Sequence, residues 1–296
     1  MRHAVHLRVG PAIFRVGSVW PSPVDALRHL YRDYPDAGGE AADFTVRLQP
    51  VRPWRRHIRP SIFIAGDHWL ADAAPMALRH GLLAAEMGMN LQMAMGWRRH
   101  LLLHAATVEK EGCAIILSGE SGSGKSTLAA LLGERGWRLM GDEFALVDLA
   151  SGALAPFPRL VSLKNGAIEA VRREAGEGRL GPLMAATPKG DIRHLVPRTD
   201  AVARMEEPAT PALILFPRFG AEGTARPVGE AECFVRLTQA STNYVALGEA
   251  GYRALTRLVS TIPAVGIDYA GGAEGIAMVE ALWEESRDMV PQGAPS

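Results

Sequence analysis

Two short stretches of this chain carry residue types that could do chemistry together. Residues 119 to 126 read Gly-Glu-Ser-Gly-Ser-Gly-Lys-Ser, and seventeen positions after Lys125 come Asp142 and Glu143. The first stretch fits the phosphate-binding pattern G-x-x-x-x-G-K-[ST]. Its glycines let successive amide N–H groups converge on one anion, and the helix that follows adds partial positive charge. In that reading Gly119, Glu120, Ser121, Gly122, Ser123, Gly124, Lys125, Ser126 and Thr127 hold the nucleotide. Lys125 reaches the β and γ phosphates, and the Ser126 hydroxyl holds Mg²⁺. The acidic pair faces the same anion. One carboxylate can bind the metal, directly or through water, and the other can take a proton from an attacking hydroxyl. ATP and Mg²⁺ are the expected cofactors.

These residues need a scaffold, and the flanking pattern supplies one. Ala114 to Leu117 reads as a buried strand before the loop, and Ser126 to Glu134 as a helix after it. Gly136 stops that helix, and Trp137 to Met140 makes a second strand ending in the acids. The apolar runs 101–108 and 113–118 read as a hairpin joined by residues 109–112. With Lys110-Glu111 as its central pair, Glu109 faces Gly112 and His104 faces Leu117, beside the glycine loop.

Further out, Val5-Leu7-Val9 and Ile13 to Val16 predict a hairpin around Gly10-Pro11. A helix is expected from Pro21 to Tyr34, strands at Phe44 to Leu48 and Ile62 to Ile64, and a long helix from about Pro75 with a Leu/Met core stripe. Residues 175 to 193 are rich in Gly and Pro and predict a mobile loop. Strands are expected at Ala212 to Phe216, Phe234 to Leu237 and Ala264 to Tyr269, and a helix at Ala273 to Glu285. The expected division is an N-terminal α+β unit at 1–98, a catalytic unit at 99–286, and a disordered tail at 287–296. The run Arg52-Pro53-Trp54-Arg55-Arg56-His57-Ile58-Arg59 is the most basic one, a solvated loop or a docking site for an acidic peptide.

Composition narrows the function classes. Thirty-two basic residues balance thirty-two acidic ones, which argues against a broad nucleic-acid surface. No stretch is apolar enough to span a bilayer and no secretory signal is read at Met1, so a cytoplasmic protein with no membrane partner is expected. Cys113 and Cys233 lie apart in apolar runs and read as buried thiols.

His104, the hairpin, GESGSGKS and Arg138-Leu139-Met140-Gly141-Asp142-Glu143 together resemble the HPr kinase/phosphorylase catalytic domain. That family shows a histidine before a GxSGxGKS loop and HRLxADD after a short helix. The resemblance implies an α/β P-loop kinase core of the HPr kinase and phosphoenolpyruvate carboxykinase type. It implies Asp142 as catalytic base, Glu143 as second acid, and His104 as the loop-side histidine, and it allows a homo-oligomer. Glu143 replaces the family's second Asp, and a later E-x-RG-x-G signature is absent, replaced by Pro156 to Asn165. The N-terminal hundred residues show no likeness to the usual N-domain. The chain therefore looks like a related kinase outside the phosphotransferase system, whose acceptor is a serine in a peptide or small protein rather than HPr. A small-molecule hydroxyl, or a nucleotide-gated assembly module without transfer, are the alternatives. Arg159, Lys164, Lys189 and Arg193 are candidate cations for the transferring phosphate, with Lys189 as a closing lid.

Overall fold

The computed structural model describes residues 1–69 and 74–287. The expected tail beyond Arg287 lies outside the described residues. The described residues have a mixed α/β fold with four sheets.

The N-terminal half begins with β1 (His3–Val9), β2 (Ala12–Ser18), α1 (Pro21–Leu30), β3 (Phe44–Pro50), β4 (Ser61–Gly66), β5 (Met76–Ala77) and α2 (Gly81–Gly96). The strands form one sheet in the order β1-β2-β3-β4-β5, with β2 and β3 parallel across the α1 crossover. Alternation sets the faces: Val46 and Leu48 enter the core while Arg47 and Gln49 do not. Helix α2 lies across β3 and β4 and buries Leu82, Leu83, Met89 and Met93; of the expected stripe Leu78, Leu82, Leu83, Met87, Leu91 and Met95, only Leu82 and Leu83 are fully buried and Met87 is exposed. The same apolar cluster continues across residue 98 into Phe144, Phe157, Leu160 and Ile192.

The second half runs β6 (His100–Leu103), β7 (Ala105–Lys110), β8 (Cys113–Ser118), α3 (Lys125–Gly133), β9 (Arg138–Gly141), β10 (Ala145–Asp148), β11 (Leu154–Ala155), β12 (Val161–Lys164), α4 (Gly166–Ala175), β13 (Met184–Thr187), β14 (Gly190–Leu195) and α5 (Thr199–Ala203). It ends with β15 (Thr210–Phe219), β16 (Thr224–Pro227), α6 (Glu230–Ala240), α7 (Tyr244–Leu247), α8 (Glu249–Thr261), β17 (Ala264–Tyr269) and α9 (Gly272–Arg287). The central sheet has the order β16-β17-β15-β8-β7-β9. Strands β8, β15 and β17 are parallel and fully apolar inside, while β7, β9 and β16 join antiparallel.

Four expectations change. The run 101–108 is two strands, not one: β6 leaves the central sheet at His104 and pairs with β10. The hairpin loop is Glu111-Gly112, both at positive φ, the backbone a two-residue turn of matching twist requires. Pairing therefore puts Glu109 opposite Ala114 and Ala106 opposite Leu117, two residues from the expected register. The segment 175–193 is not a mobile loop. Its second half forms the β13–β14 hairpin, whose turn is fastened by Thr187 Oγ1 donating to the Gly190 carbonyl at 2.6 Å. Finally, Phe234 to Leu237 lies in helix α6, where Cys233 and Leu237 share the buried face. A four-residue apolar run does not separate strand from helix.

Candidate functional site

Strand β8 delivers the chain to Gly119 at the edge of the central sheet, and helix α3 starts at Lys125. Between them Gly122 and Gly124 take φ of 88° and 96°. A Cβ on Gly124 would sit 2.3 Å from the Tyr269 hydroxyl oxygen, so only glycine fits there. Lys125 is buried and folds back over the loop, donating to the carbonyls of Gly119 (2.7 Å) and Glu120 (2.9 Å). Burial pushes its ammonium pKa down, against the fields of Asp142 and Glu143. Glu120, Ser121 and Gly122 form the exposed crest, and Ser126 and Thr127 open the helix. The Ser123 hydroxyl oxygen is buried with no hydrogen-bond partner.

Strand β9 brings up the acids. Its first residue, Arg138, is locked by a buried pair with Glu109 (2.5 Å) and by donation to the carbonyls of Arg204 and Glu207. Asp142 follows the strand at 3% exposure. It accepts a hydrogen bond at Oδ2 from the Ser162 backbone N–H (3.3 Å), and the Ser126 hydroxyl is near enough to favour its charged form. Its Oδ1 is buried and unpartnered. Burial first, then repulsion by Glu143, pushes the carboxyl pKa up to about 7, against the pull of Ser126, Ser162 and Lys125.

Glu143 is partly exposed beside His104. The His104 Nδ1–H donates to the Glu143 carbonyl at 3.2 Å, and Nδ1 lies 3.7 Å from the Glu143 carboxylate. Burial lowers the imidazole pKa, as do Lys125 and Lys164, against Glu143. The neutral ring with Nδ1 protonated leaves Nε2 as a free acceptor. His104 lies in the bend between β6 and β7, outside the β7–β8 ladder, so its place beside the loop is set by its N–H bond to the Ala240 carbonyl and its ring contact with Glu143 rather than by strand register.

The four candidate cations separate. Lys164, at the end of β12, is close enough to act on both Lys125 and His104. Arg159 does not join them. It is buried against Glu86 and Asn90 of α2, so it is a structural cation, because an uncompensated guanidinium is too costly to bury. Arg193 is also spoken for: it donates to the Gly181 carbonyl and pairs with Glu177. Lys189 sits in the β13–β14 turn, its ammonium without a hydrogen-bond or ion-pair partner among the described residues. With that turn built into a hairpin, the expected mobile lid is absent.

Two features escape the sequence. The first is the Ser162 amide, because a backbone donor has no residue signature. The second is a cavity of about 770 Å³ beside the loop, lined by His104, Ser123, Phe216, Arg218, Arg226 and Arg236. The Arg236 guanidinium lies 4.8 Å over the Phe216 ring. The arginines are scattered from β15 to α6 and converge only in the fold.

No group of three His, Cys, Asp or Glu side chains able to cage a metal occurs among the described residues. Mg²⁺ needs no such cage: it takes one or two carboxylates and completes its shell with water and phosphate oxygens. The Ser126 hydroxyl and the Glu143 carboxylate at the rim are the donors such an ion would use, which leaves the orphan Asp142 Oδ1 to face an attacking hydroxyl.

With Asp142 near pH 7 as a required base, protonation silences it at lower pH. Transfer should rise about tenfold per pH unit up to about pH 7 and then level. A kcat/KM profile flat from about pH 5.5 to 8 would contradict that role.

No helix among the described residues is long and apolar enough to cross a membrane. No family model matches the chain, and no curated protein matches it. Among solved structures, the chain is similar to the HPr(Ser) kinase/phosphatase from Coxiella burnetii, at 13% identity over 62% of this chain and 98% of that one. The TM-score is 0.28, a distant likeness that assigns no activity.

Proposed function

We propose that this chain is an ATP- and Mg²⁺-dependent kinase that phosphorylates a hydroxyl, the serine of a peptide or small protein. One observation carries the reading. A buried carboxylate with an unsatisfied oxygen lies next to the first helical hydroxyl after the glycine loop, within the field of the loop lysine. That supports a triphosphate cradled by the loop amides, its γ phosphate at Lys125 and Asp142. The cavity toward Phe216 and Arg236 is then the seat for the nucleoside, being large enough for a small ligand. Mg²⁺ when bound supplies charge neutralisation on the phosphate oxygens. Asp142 takes the hydroxyl proton as the seryl oxygen bonds to the γ phosphorus. The bond to the β–γ bridging oxygen breaks, and ADP leaves. Lys125 and Lys164 stabilise the spreading negative charge.

The test has two parts. Lys125→Ala should weaken MgATP binding about ten- to a hundredfold, the worth of a charged hydrogen bond, in a fluorescence titration. Incubation with ATP and a library of serine-containing peptides should then yield products heavier by one phosphate on mass spectrometry. Nucleotide binding with no phosphorylated product from peptides or small hydroxyl compounds would leave only a nucleotide-gated module.

A further inference from the structure

The hairpin of β3 and β4, from Phe44 to Gly66, contains Arg47, Arg52, Arg55, Arg56 and Arg59 and no Asp or Glu at all. In a chain of zero formal charge that is a marked local excess. Many surface arginines elsewhere carry an acidic partner, as in Arg8–Glu40, Arg172–Glu169 and Arg253–Glu249, and those unpaired among the described residues, such as Arg15 and Arg79, are scattered singly. Arg52, Arg55, Arg56 and Arg59 have no ion pair among the described residues.

The tip of this hairpin is built, not slack. Pro53–Arg56 forms a 3₁₀ turn that extends by one α-type bond, from the Ile58 N–H to the Trp54 carbonyl at 3.1 Å. The Trp20 indole N–H donates to the Arg56 carbonyl at 2.9 Å and ties the turn to the core beneath it. The i,i+4 spacing puts Trp54 and Ile58 on one side of the turn, and both are exposed, at 50% and 62%. Arg55 lies 5.1 Å over the Trp54 ring. A solvated loop has no need to hold a tryptophan and an isoleucine in water between arginines.

The geometry points to a docking surface for an acidic segment of the acceptor polypeptide, one that carries large apolar side chains among its carboxylates. This rests on the kinase reading and deepens it: the segment is held at the hairpin while its serine reaches Asp142. The arginines supply charge complementarity and faster encounter, and Trp54 with Ile58 supplies the apolar anchor. Exposed apolar side chains between the cations favour a peptide over a phosphate backbone, which needs charge alone.

The test uses the full chain, without nucleotide, at low salt. The probe is a fluorescein-labelled synthetic peptide of alternating Glu and Leu, followed by anisotropy. Arg52→Glu with Arg55→Glu should lower its affinity by about tenfold or more, through like-charge repulsion. Trp54→Ala should lower it too, while a Lys-for-Glu peptide should not bind. The double variant should keep its melting temperature and its MgATP affinity, and Lys125→Ala should keep its peptide affinity. Loss of one function without the other separates the two proposals. Unchanged peptide binding in the double variant overturns the surface, as does equal or tighter binding of a labelled oligothymidylate strand.

Discussion

If the proposed kinase reading holds, Asp142→Asn should lower phosphoryl transfer by about 10²- to 10⁴-fold, the worth of a positioned general base, and should leave MgATP affinity near that of the parent protein. Asparagine keeps the shape of the side chain. Its carbonyl oxygen can still accept from the Ser162 amide. The amide nitrogen falls where Oδ1 is buried without a partner, so no existing hydrogen bond is lost. What disappears is the ability to accept a proton. The folding control runs the other way. Because the folded pKa is raised, the carboxyl favours the folded state only while protonated. That contribution is complete below about pH 3.8 and is lost as pH rises through about 7. Above that, Asp142→Asn should unfold no earlier than the parent protein in a thermal melt. Its transfer rate should also lose the rise below pH 7. Equal transfer rates in the two proteins would remove Asp142 from the role of base.

The part of the site read from sequence is the part encoded by contiguous residues. GESGSGKS needs one strand, one turn and one helix, and the acids follow after a single short crossover, so spacing alone brings Ser126 and Asp142 within reach. Strand β17 shows its apolar pattern plainly and falls at Ala264–Tyr269 as expected. Elsewhere local pattern and tertiary context part company. His194 interrupts the apolar alternation of β14, hiding a buried strand inside a Gly- and Pro-rich stretch. The pairing of β7 depends on whether Glu111 accepts positive φ, which sequence states only as the weak preference for Gly112 after it. Arg159 misleads for a different reason. A cation near a phosphate loop in sequence looks catalytic until its partners are known, and Glu86 and Asn90 lie about seventy residues earlier in another sheet layer.

Those partners make Arg159→Ala the largest stability effect expected in this chain. Arg159 donates to the Glu86 carbonyl (3.0 Å), to the Glu86 carboxylate and to Asn90, and Tyr31 donates to the other Glu86 oxygen at 3.0 Å. Both members of the pair are almost wholly buried. Removing the guanidinium strands a carboxylate in the core at a cost of about 3–5 kcal/mol. The whole segment around it is clamped. Gly10 abuts the Pro156 carbonyl, the Tyr34 hydroxyl donates to the Pro158 carbonyl, and the Phe157 N–H donates to the Met140 carbonyl at 2.5 Å. Three residues beyond Arg159, β12 presents the Ser162 amide to Asp142. Residues 1–96 therefore help set where the carboxylate sits, through the segment that leads into β12. Urea unfolding of Arg159→Ala should show the full loss, and Arg159→Met with Glu86→Leu should recover most of it, since no charge is then left unpaired. A catalytic cation behaves oppositely. If Arg159→Ala keeps its unfolding midpoint and loses transfer rate, and the double variant fails to restore activity, the guanidinium belongs to the reaction and the structural assignment falls.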